Sequence, residues 1–393
     1  MSLSTLIDLV ESFNAPLIAV EADRCLNNRH PEAGCSRCVQ VCPVEAITLE
    51  GRAVALDPAV CARCGACLWA CPGGVFQQIL PPEGKLLATL HQRQPTAAEL
   101  TCPAGHETAG NIANALPVTA PRCLAALSPA MLISAAEAVP TLWLNDLPCA
   151  ECPLGAVHAT LRQAVERANA WLALYERAGR VHLNSVEHPP QATTRTPPID
   201  GTRPAVDRRA FLRGQVRTST ITDVGARSLH TPNPISDRMQ HWIPQERNRL
   251  LTLESRWPAP PNQMIAPDVI GLAAIEIDEA QCSLCGWCAG FCPTAALEWR
   301  AKEDRLQITF RPLRCIDCNV CMAACPTEAV HKRDAIPLAA LRHKILLAED
   351  TAAECQRCKK PTAARSGELC VWCAREDATS RKLNENILGF LKE

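Results

Sequence analysis

Three stretches of this chain carry cysteine in the run Cys-x2-Cys-x2-Cys-x3-Cys-Pro, and no other feature narrows its possible folds so far. "CARCGACLWACP" places Cys61, Cys64, Cys67 and Cys71; "CSLCGWCAGFCP" places Cys282, Cys285, Cys288 and Cys292; "CIDCNVCMAACP" places Cys315, Cys318, Cys321 and Cys325. A fourth stretch, "CSRCVQVCP", supplies Cys35, Cys38 and Cys42, with Cys25 upstream beyond the nine-residue insertion "LNNRHPEAG". Thiols this dense imply either disulfides or metal. The opening "MSLSTLIDLVESFNAP" has neither the basic start nor the long apolar core of a secretory signal. A reducing, cytoplasmic location is therefore expected, where clustered cysteines hold metal rather than form disulfides.

The spacing is the signature of bacterial ferredoxins, which bind two cubane clusters in one small domain. Three thiolates on a tight loop ligate three irons of one cluster, and the fourth cysteine, turned away before its proline, ligates the other. This pairs Cys282, Cys285 and Cys288 with Cys325, and Cys315, Cys318 and Cys321 with Cys292. In the N-terminal copy it pairs Cys61, Cys64 and Cys67 with Cys42, and Cys35, Cys38 and Cys71 with Cys25; a free structural Cys25 is the alternative. Four [4Fe-4S] clusters follow. Two alternating segments, "AITLEGRAVALD" and "ALEWRAKEDRLQITF", read as β-hairpins inside these domains, which resemble dicluster ferredoxins over residues 18–82 and 270–337. Trp69 and Trp287 lie inside the runs, where packing on a cluster or control of access to it are the two readings.

Residues 85–187 change character. Strand-like "ELTC", "PVTAPRC", "TLWLN" and "RVHLNSV" alternate with helix-like segments, the longest presenting Leu154, Val157, Leu161, Val165, Ala168 and Leu172 on one face. Such alternation predicts an α/β layer with parallel strands. Cys102, Cys123 and Cys149 each follow a predicted strand, at the carboxyl edge where open α/β sheets build their sites. Cys152 is expected at a helix start, where the dipole favours a thiolate. With "RCLAAL" and "LPCAECPLG", this region resembles the methyl-viologen hydrogenase delta-type iron-sulfur subunits, which implies a fifth cluster, [4Fe-4S] or [2Fe-2S], on these four residues. A redox-active Cys149–Cys152 dithiol, zinc and inert packing are the rivals; His106 is an alternative ligand or a surface residue.

Residues 188–268 are proline-rich with weak periodicity and read as a linker or partner-binding arm. Within them "VDRRAFLRG", with Arg208 and Arg209, resembles the start of the cytoplasmic ferredoxins associated with periplasmic nitrate reductase. The tail, "CQRCKKPTAARSGELCVWC", carries Cys355, Cys358, Cys370 and Cys373 as two Cys-x2-Cys knuckles, a zinc-ribbon-like tetrahedral thiolate site for one zinc or a single iron. All 24 cysteines are thus distributed over six sites of four.

The expected architecture is α+β: a dicluster ferredoxin domain (1–84), an α/β cluster-binding domain (85–187), the arm (188–268), a second dicluster domain (269–345) and the four-cysteine tail (346–393). A formal charge of −1 and little basic surface around Lys359 and Lys360 argue against nucleic acid. No apolar run reaches the roughly 18 residues of a membrane span, which leaves peripheral docking. Aromatic content of 4 %, with one tyrosine, implies small cores that metal must reinforce. The expectation is a polyferredoxin, an electron-transfer subunit that passes single electrons between a partner oxidoreductase and an acceptor, with no catalytic residues of its own. An accessory protein for metalloenzyme maturation, a catalytic middle site and a thiol/disulfide protein using Cys149 and Cys152 are the alternatives.

Overall fold

The computed structural model describes residues 18–78, 82–202, 240–258, 260–261 and 263–379. The chain forms two bodies: Met1–Cys25, Ser36–Arg238 and Thr252–Arg256 make the first, and Leu26–Cys35, Met239–Leu251 and Trp257–Glu393 make the second. The segment "VDRRAFLRG" lies outside the described residues. Among the described residues, no helix is long and apolar enough to cross a membrane.

The first body opens with β1 (Ala19–Val20), β2 (Ile47–Glu50), β3 (Ala53–Leu56) and β4 (Phe76–Gln77); β2 and β3 form the expected hairpin, and β1 pairs antiparallel with β4. A turn at Gly51, with φ of +59°, joins β2 to β3. Beside this small layer lies a five-stranded sheet built from β5 (Ala97–Thr101), β6 (Leu116–Thr119), β7 (Thr141–Asn145), β8 (Arg180–Leu183) and β9 (Ile199–Asp200). Its order is β8-β7-β5-β6-β9, with every pairing parallel. The helices Glu83–Arg93, Pro129–Ala138 and His158–Leu174 accompany it. Ser128 caps the second of these by accepting from the Met131 amide at 3.2 Å, with Pro129 in the first turn where its missing N–H costs nothing. Leu161, Ala164, Val165, Ala168, Trp171 and Leu172 bury one stripe of the third.

Two sequence expectations change here. The last of these helices begins at His158, so Cys152 and Leu154 precede it. In their place the chain winds through short 3-10 turns, Leu147–Ala150 and Gly155–Val157, closed by Gly155 N–H to the Cys152 carbonyl at 2.8 Å. A Cβ on Gly155 would sit 2.8 Å from the Cys149 carbonyl, a close approach that needs glycine. Secondly, the proline-rich segment contributes structure: β9 adds to the edge of β6, and Gln245–Glu254 is helical. Two-residue strands leave no periodicity to read, and β9 is fixed by close fit instead. Its following residue, Gly201, donates to the Thr119 carbonyl at 3.0 Å and accepts from Thr89 Oγ1 at 3.0 Å.

In the second body, β10 (Met264–Ile265) pairs with β15 (Ile336–Pro337), and β11 (Ala274–Ile277) with β14 (Val330–Arg333). The predicted hairpin forms as β12 (Leu297–Lys302) and β13 (Arg305–Phe310). The long β16 (Ile345–Glu354) then pairs along β13, and β17 (Pro361–Ala363) along β16. The expected division at 345/346 therefore falls at the first residue of a strand, and the sheet continues across it into the tail.

Candidate iron-sulfur and zinc sites

The cysteine loops repeat one local backbone. In each complete run the residue two after the first cysteine has positive φ (Arg63 +54°, Leu284 +51°, Asp317 +51°), and so does the residue four after it (Gly65 +82°, Gly286 +77°, Asn319 +62°). The residue three after each closing cysteine does the same: Glu45, Gly74, Ala295 and Glu328. Left-handed conformation is costly for side chains such as leucine and arginine, so its repetition marks a functional constraint. The constraint is visible in what the amides face. Arg63 N–H reaches Cys61 Sγ at 3.4 Å, Leu284 N–H reaches Cys282 Sγ at 3.4 Å, and the closing cysteines accept from Ala46, Val75 and Ala329 at 3.2, 3.5 and 3.3 Å. Amide dipoles aimed at sulfur stabilise thiolate and a negatively charged cluster.

Burial and neighbouring thiols act together on the cysteines of these runs. Burial pushes the Cys67 thiol above its ordinary range, followed by the charges of Cys64, Cys61 and Cys42. Cys288 is raised by burial and then by Cys285, Cys282 and Cys325. Burial takes Cys318 up to about 12, with Cys315 and Cys292 also acting on it. An apolar cavity lined by Cys292, Cys315, Cys318 and Cys321, with Ile275 and Leu297, occupies the centre of that last group. Thiols raised this way stay protonated until a metal displaces the proton, which is the donor set an iron-sulfur cluster requires. In the first body Cys25, Cys38 and Cys71 are buried together with Ile47, Val75 and Phe76. Cys35 belongs to the second body and packs beside Leu26, Ile316 and Val320. Gly34, just before it, has φ of +57°, matching Arg63, whereas Ser36 at −126° departs from Gly65; the insertion keeps one half of the loop geometry.

The middle four cysteines lie where the sheet topology predicts. The chain leaves β5 for β6 on one side and then crosses to β7 on the other, so the carboxyl ends of these strands flank a topological switch point. Thr101 is level with Thr119 and Asn145, and Cys102, Cys123 and Cys149 follow from that edge. Cys149 is pushed up to about 12 by burial, with Cys123, Cys102, Asp146 and Cys152 adding to it; all four cysteines are half-buried. The helix-dipole expectation for Cys152 gives way to an amide: Leu154 N–H reaches its Sγ at 3.4 Å. Cys123 likewise accepts from the Ala125 amide, although burial raises it to about 11. Amide donation from two residues ahead thus recurs in the middle site and the ferredoxin runs. His106 is exposed, and its carbonyl accepts from Arg195 at 2.7 Å.

Cys355, Cys358, Cys370 and Cys373 differ in kind. Among the described residues, these four form the group whose ligand atoms all lie within 4.8 Å of one another, with Cys358 and Cys370 sulfurs 3.7 Å apart. Tetrahedral Zn–S bonds of about 2.3 Å imply a sulfur separation of about 3.8 Å. The amides of Cys358 and Cys370 draw the Cys355 thiol down to about 6, while burial pushes Cys373 up to about 12.

Neither tryptophan of the runs is simply a cluster wall. Trp69 is buried and donates its indole N–H to the Ala125 carbonyl at 2.9 Å; Trp287 packs its ring 4.0 Å from that of Trp372 in the tail. Sequence reasoning missed Arg29 and Arg122, because an isolated arginine in a loop has no pattern. Arg29 is 4 % exposed, and its guanidinium donates to the carbonyls of Gln240 (2.7 Å), Gly290 (2.9 Å) and Phe291 (3.1 Å).

The family model for the 4Fe-4S dicluster domain matches residues 33–75 and 281–329. No match is found among curated proteins. Two spans of the chain are thus similar to the 4Fe-4S dicluster domain, which supports an iron-sulfur protein and suggests an electron-transfer role. The matched spans hold three complete runs and Cys35, Cys38 and Cys42.

Proposed function

We propose that this chain is an electron-transfer subunit, a polyferredoxin relaying single electrons between a partner oxidoreductase and an acceptor in a larger redox complex. The thiolate sets Cys25/Cys35/Cys38/Cys71, Cys61/Cys64/Cys67/Cys42, Cys282/Cys285/Cys288/Cys325 and Cys315/Cys318/Cys321/Cys292 would each hold a [4Fe-4S] cluster. Cys102, Cys123, Cys149 and Cys152 would hold a fifth, and the tail one zinc. Such a cluster, when bound, supplies reversible one-electron storage at a potential set by charge, hydrogen bonds to sulfur and exposure. The protein's own residues supply those three controls: left-handed turns that aim amides at sulfur, apolar walls that exclude water, and half-buried edges open to a partner.

The observation that carries the reading is the amide two residues ahead of a thiol, present at Cys61 and Cys282 and again at Cys123 and Cys152. It supports reading the middle site as a metal-binding thiolate loop over a dithiol, since Cys152 precedes the helix start that a dithiol was expected to occupy. The maturation alternative rested on Arg208 and Arg209, which lie outside the described residues.

Metal analysis of anaerobically purified protein tests the assignment. About 20 iron and one zinc per chain are expected, from five cubanes and one tetrahedral site. About 18 iron would make the middle group binuclear, and about 16 would leave it without iron. Cys149→Ser is expected to remove the middle cluster's iron while dithionite still reduces the dicluster domains. Dicluster centres that dithionite leaves oxidised would overturn the relay.

A further inference from the structure

In the first body, the loop carrying Cys64 and the loop carrying Cys123 interlock. A Cβ on Gly65 would lie 2.7 Å from the Ala126 Cβ and 3.0 Å from the Arg122 guanidinium carbon, so only glycine, already at φ of +82°, lets the loops approach this closely. Trp69, two residues after Cys67, ties the same loops together by donating to the Ala125 carbonyl. Arg122 is held in place from the far side: its Nε donates to Glu83 Oε1 at 2.5 Å and its Nη2 to Gln78 Oε1 at 2.6 Å. Glu83 is 1 % exposed, and the arginine side chain is 14 % exposed. The guanidinium charge also bears on Cys64, and the Cys64 charge bears on Cys123.

We infer that Gly65, Trp69 and Arg122 form a built junction between two neighbouring cluster sites, the Cys42/Cys61/Cys64/Cys67 set and the Cys102/Cys123/Cys149/Cys152 set. Arg122, ion-paired to Glu83, is its positioning residue, with its guanidinium against the Cys64 loop and its backbone next to Cys123. This rests on the proposed reading that both thiolate sets hold clusters. A fixed cation beside a centre that gains one negative charge on reduction favours the reduced state, and low dielectric strengthens that effect. The junction therefore raises the potentials of these two centres above what their loops alone would set. Contact between the loops also places the two centres within magnetic reach of each other.

The test uses the full chain, purified without oxygen, with iron content and EPR-monitored redox titrations measured for Arg122→Gln, Arg122→Lys and Trp69→Phe. In Arg122→Gln the potentials of two centres are expected to fall while the others stay in place, and Arg122→Lys is expected to restore most of the shift. Trp69→Phe keeps the bulk but loses the N–H, and is expected to weaken the spin coupling between the same two centres without loss of iron. Unchanged potentials in Arg122→Gln at full iron content would overturn the junction. An equal fall at every centre would overturn it too, because a local charge does not act on all sites alike. If Cys149→Ser leaves the iron content of the wild-type chain unaltered, the five-cluster reading itself fails, and the junction with it.

Discussion

On the proposed zinc assignment, chelation of the tail metal is expected to unfold residues 355–379 while iron stays bound elsewhere in the chain. The core there consists of Cys355, Cys370 and Cys373 with Leu369 and Trp372 against them, so most of what is buried is the ligand set itself. Binding free energy at such a site is folding free energy, on the order of 10 kcal/mol or more for a structural zinc. Hydrogen exchange over 355–379, before and after a zinc chelator, measures it. Protection that survives complete removal of zinc would show that strands β16 and β17 carry the tail without metal. The same site dictates a pH dependence. With Cys355 drawn down to about 6 and Cys373 pushed up to about 12, metal entry near neutral pH must displace the Cys373 proton, so affinity falls as the pH falls. The sign follows from competition between protons and metal for sulfur. Below pH 6 Cys355 also protonates, and the dependence becomes steeper.

Replacement of Arg29 by methionine is expected to cost about 3–5 kcal/mol, because charged hydrogen bonds contribute about 1.5–3 kcal/mol each and do not add in full. The substitution leaves the carbonyls of Gln240, Gly290 and Phe291 without their guanidinium, beside the candidate ligand Cys292. His241 accompanies it there, its ring bonded to the Cys292 carbonyl at 2.8 Å. Burial lowers the Arg29 pKa, and the Cys292 and Cys318 charges oppose that. The readout is the rate of iron release in denaturant, expected to rise about 10²-fold or more at about 1.4 kcal/mol per decade. Arg29→Lys keeps the charge but loses the planar fork, and recovers only part of the loss. Iron release at the wild-type rate in Arg29→Met would show that the arginine is dispensable to the ligand loop.

Much of the candidate site was legible because metal coordination is a local demand. Three thiols within seven residues of chain permit few backbones, and the amide-facing turns at Cys61 and Cys282 are what such spacing requires. The parallel sheet was legible for a similar reason: four strand-like segments alternate with helix-like ones, and their cysteines leave one edge. Sequence reading failed where structure depends on partners distant in the chain. Cys152 lies before the helix, between short turns where Gly155 passes close to the Cys149 carbonyl. The two-residue β9 is held by β6, Thr89 and Thr119, none of which its own residues reveal.

Sequence by itself therefore carried the cysteine spacing from which the candidate thiolate sets are read, and the two spans similar to the 4Fe-4S dicluster domain. Tertiary structure decided which loops meet. The carboxyl edge of β5, β6 and β7 gathers Cys102, Cys123 and Cys149 because strand order, not sequence order, sets a switch point. Arg122 and Arg29 gain their roles only through burial against carbonyls and carboxylates far along the chain. A ligand's identity depends on its side chain and nearest neighbours, whereas the field acting on it depends on everything the fold packs around it.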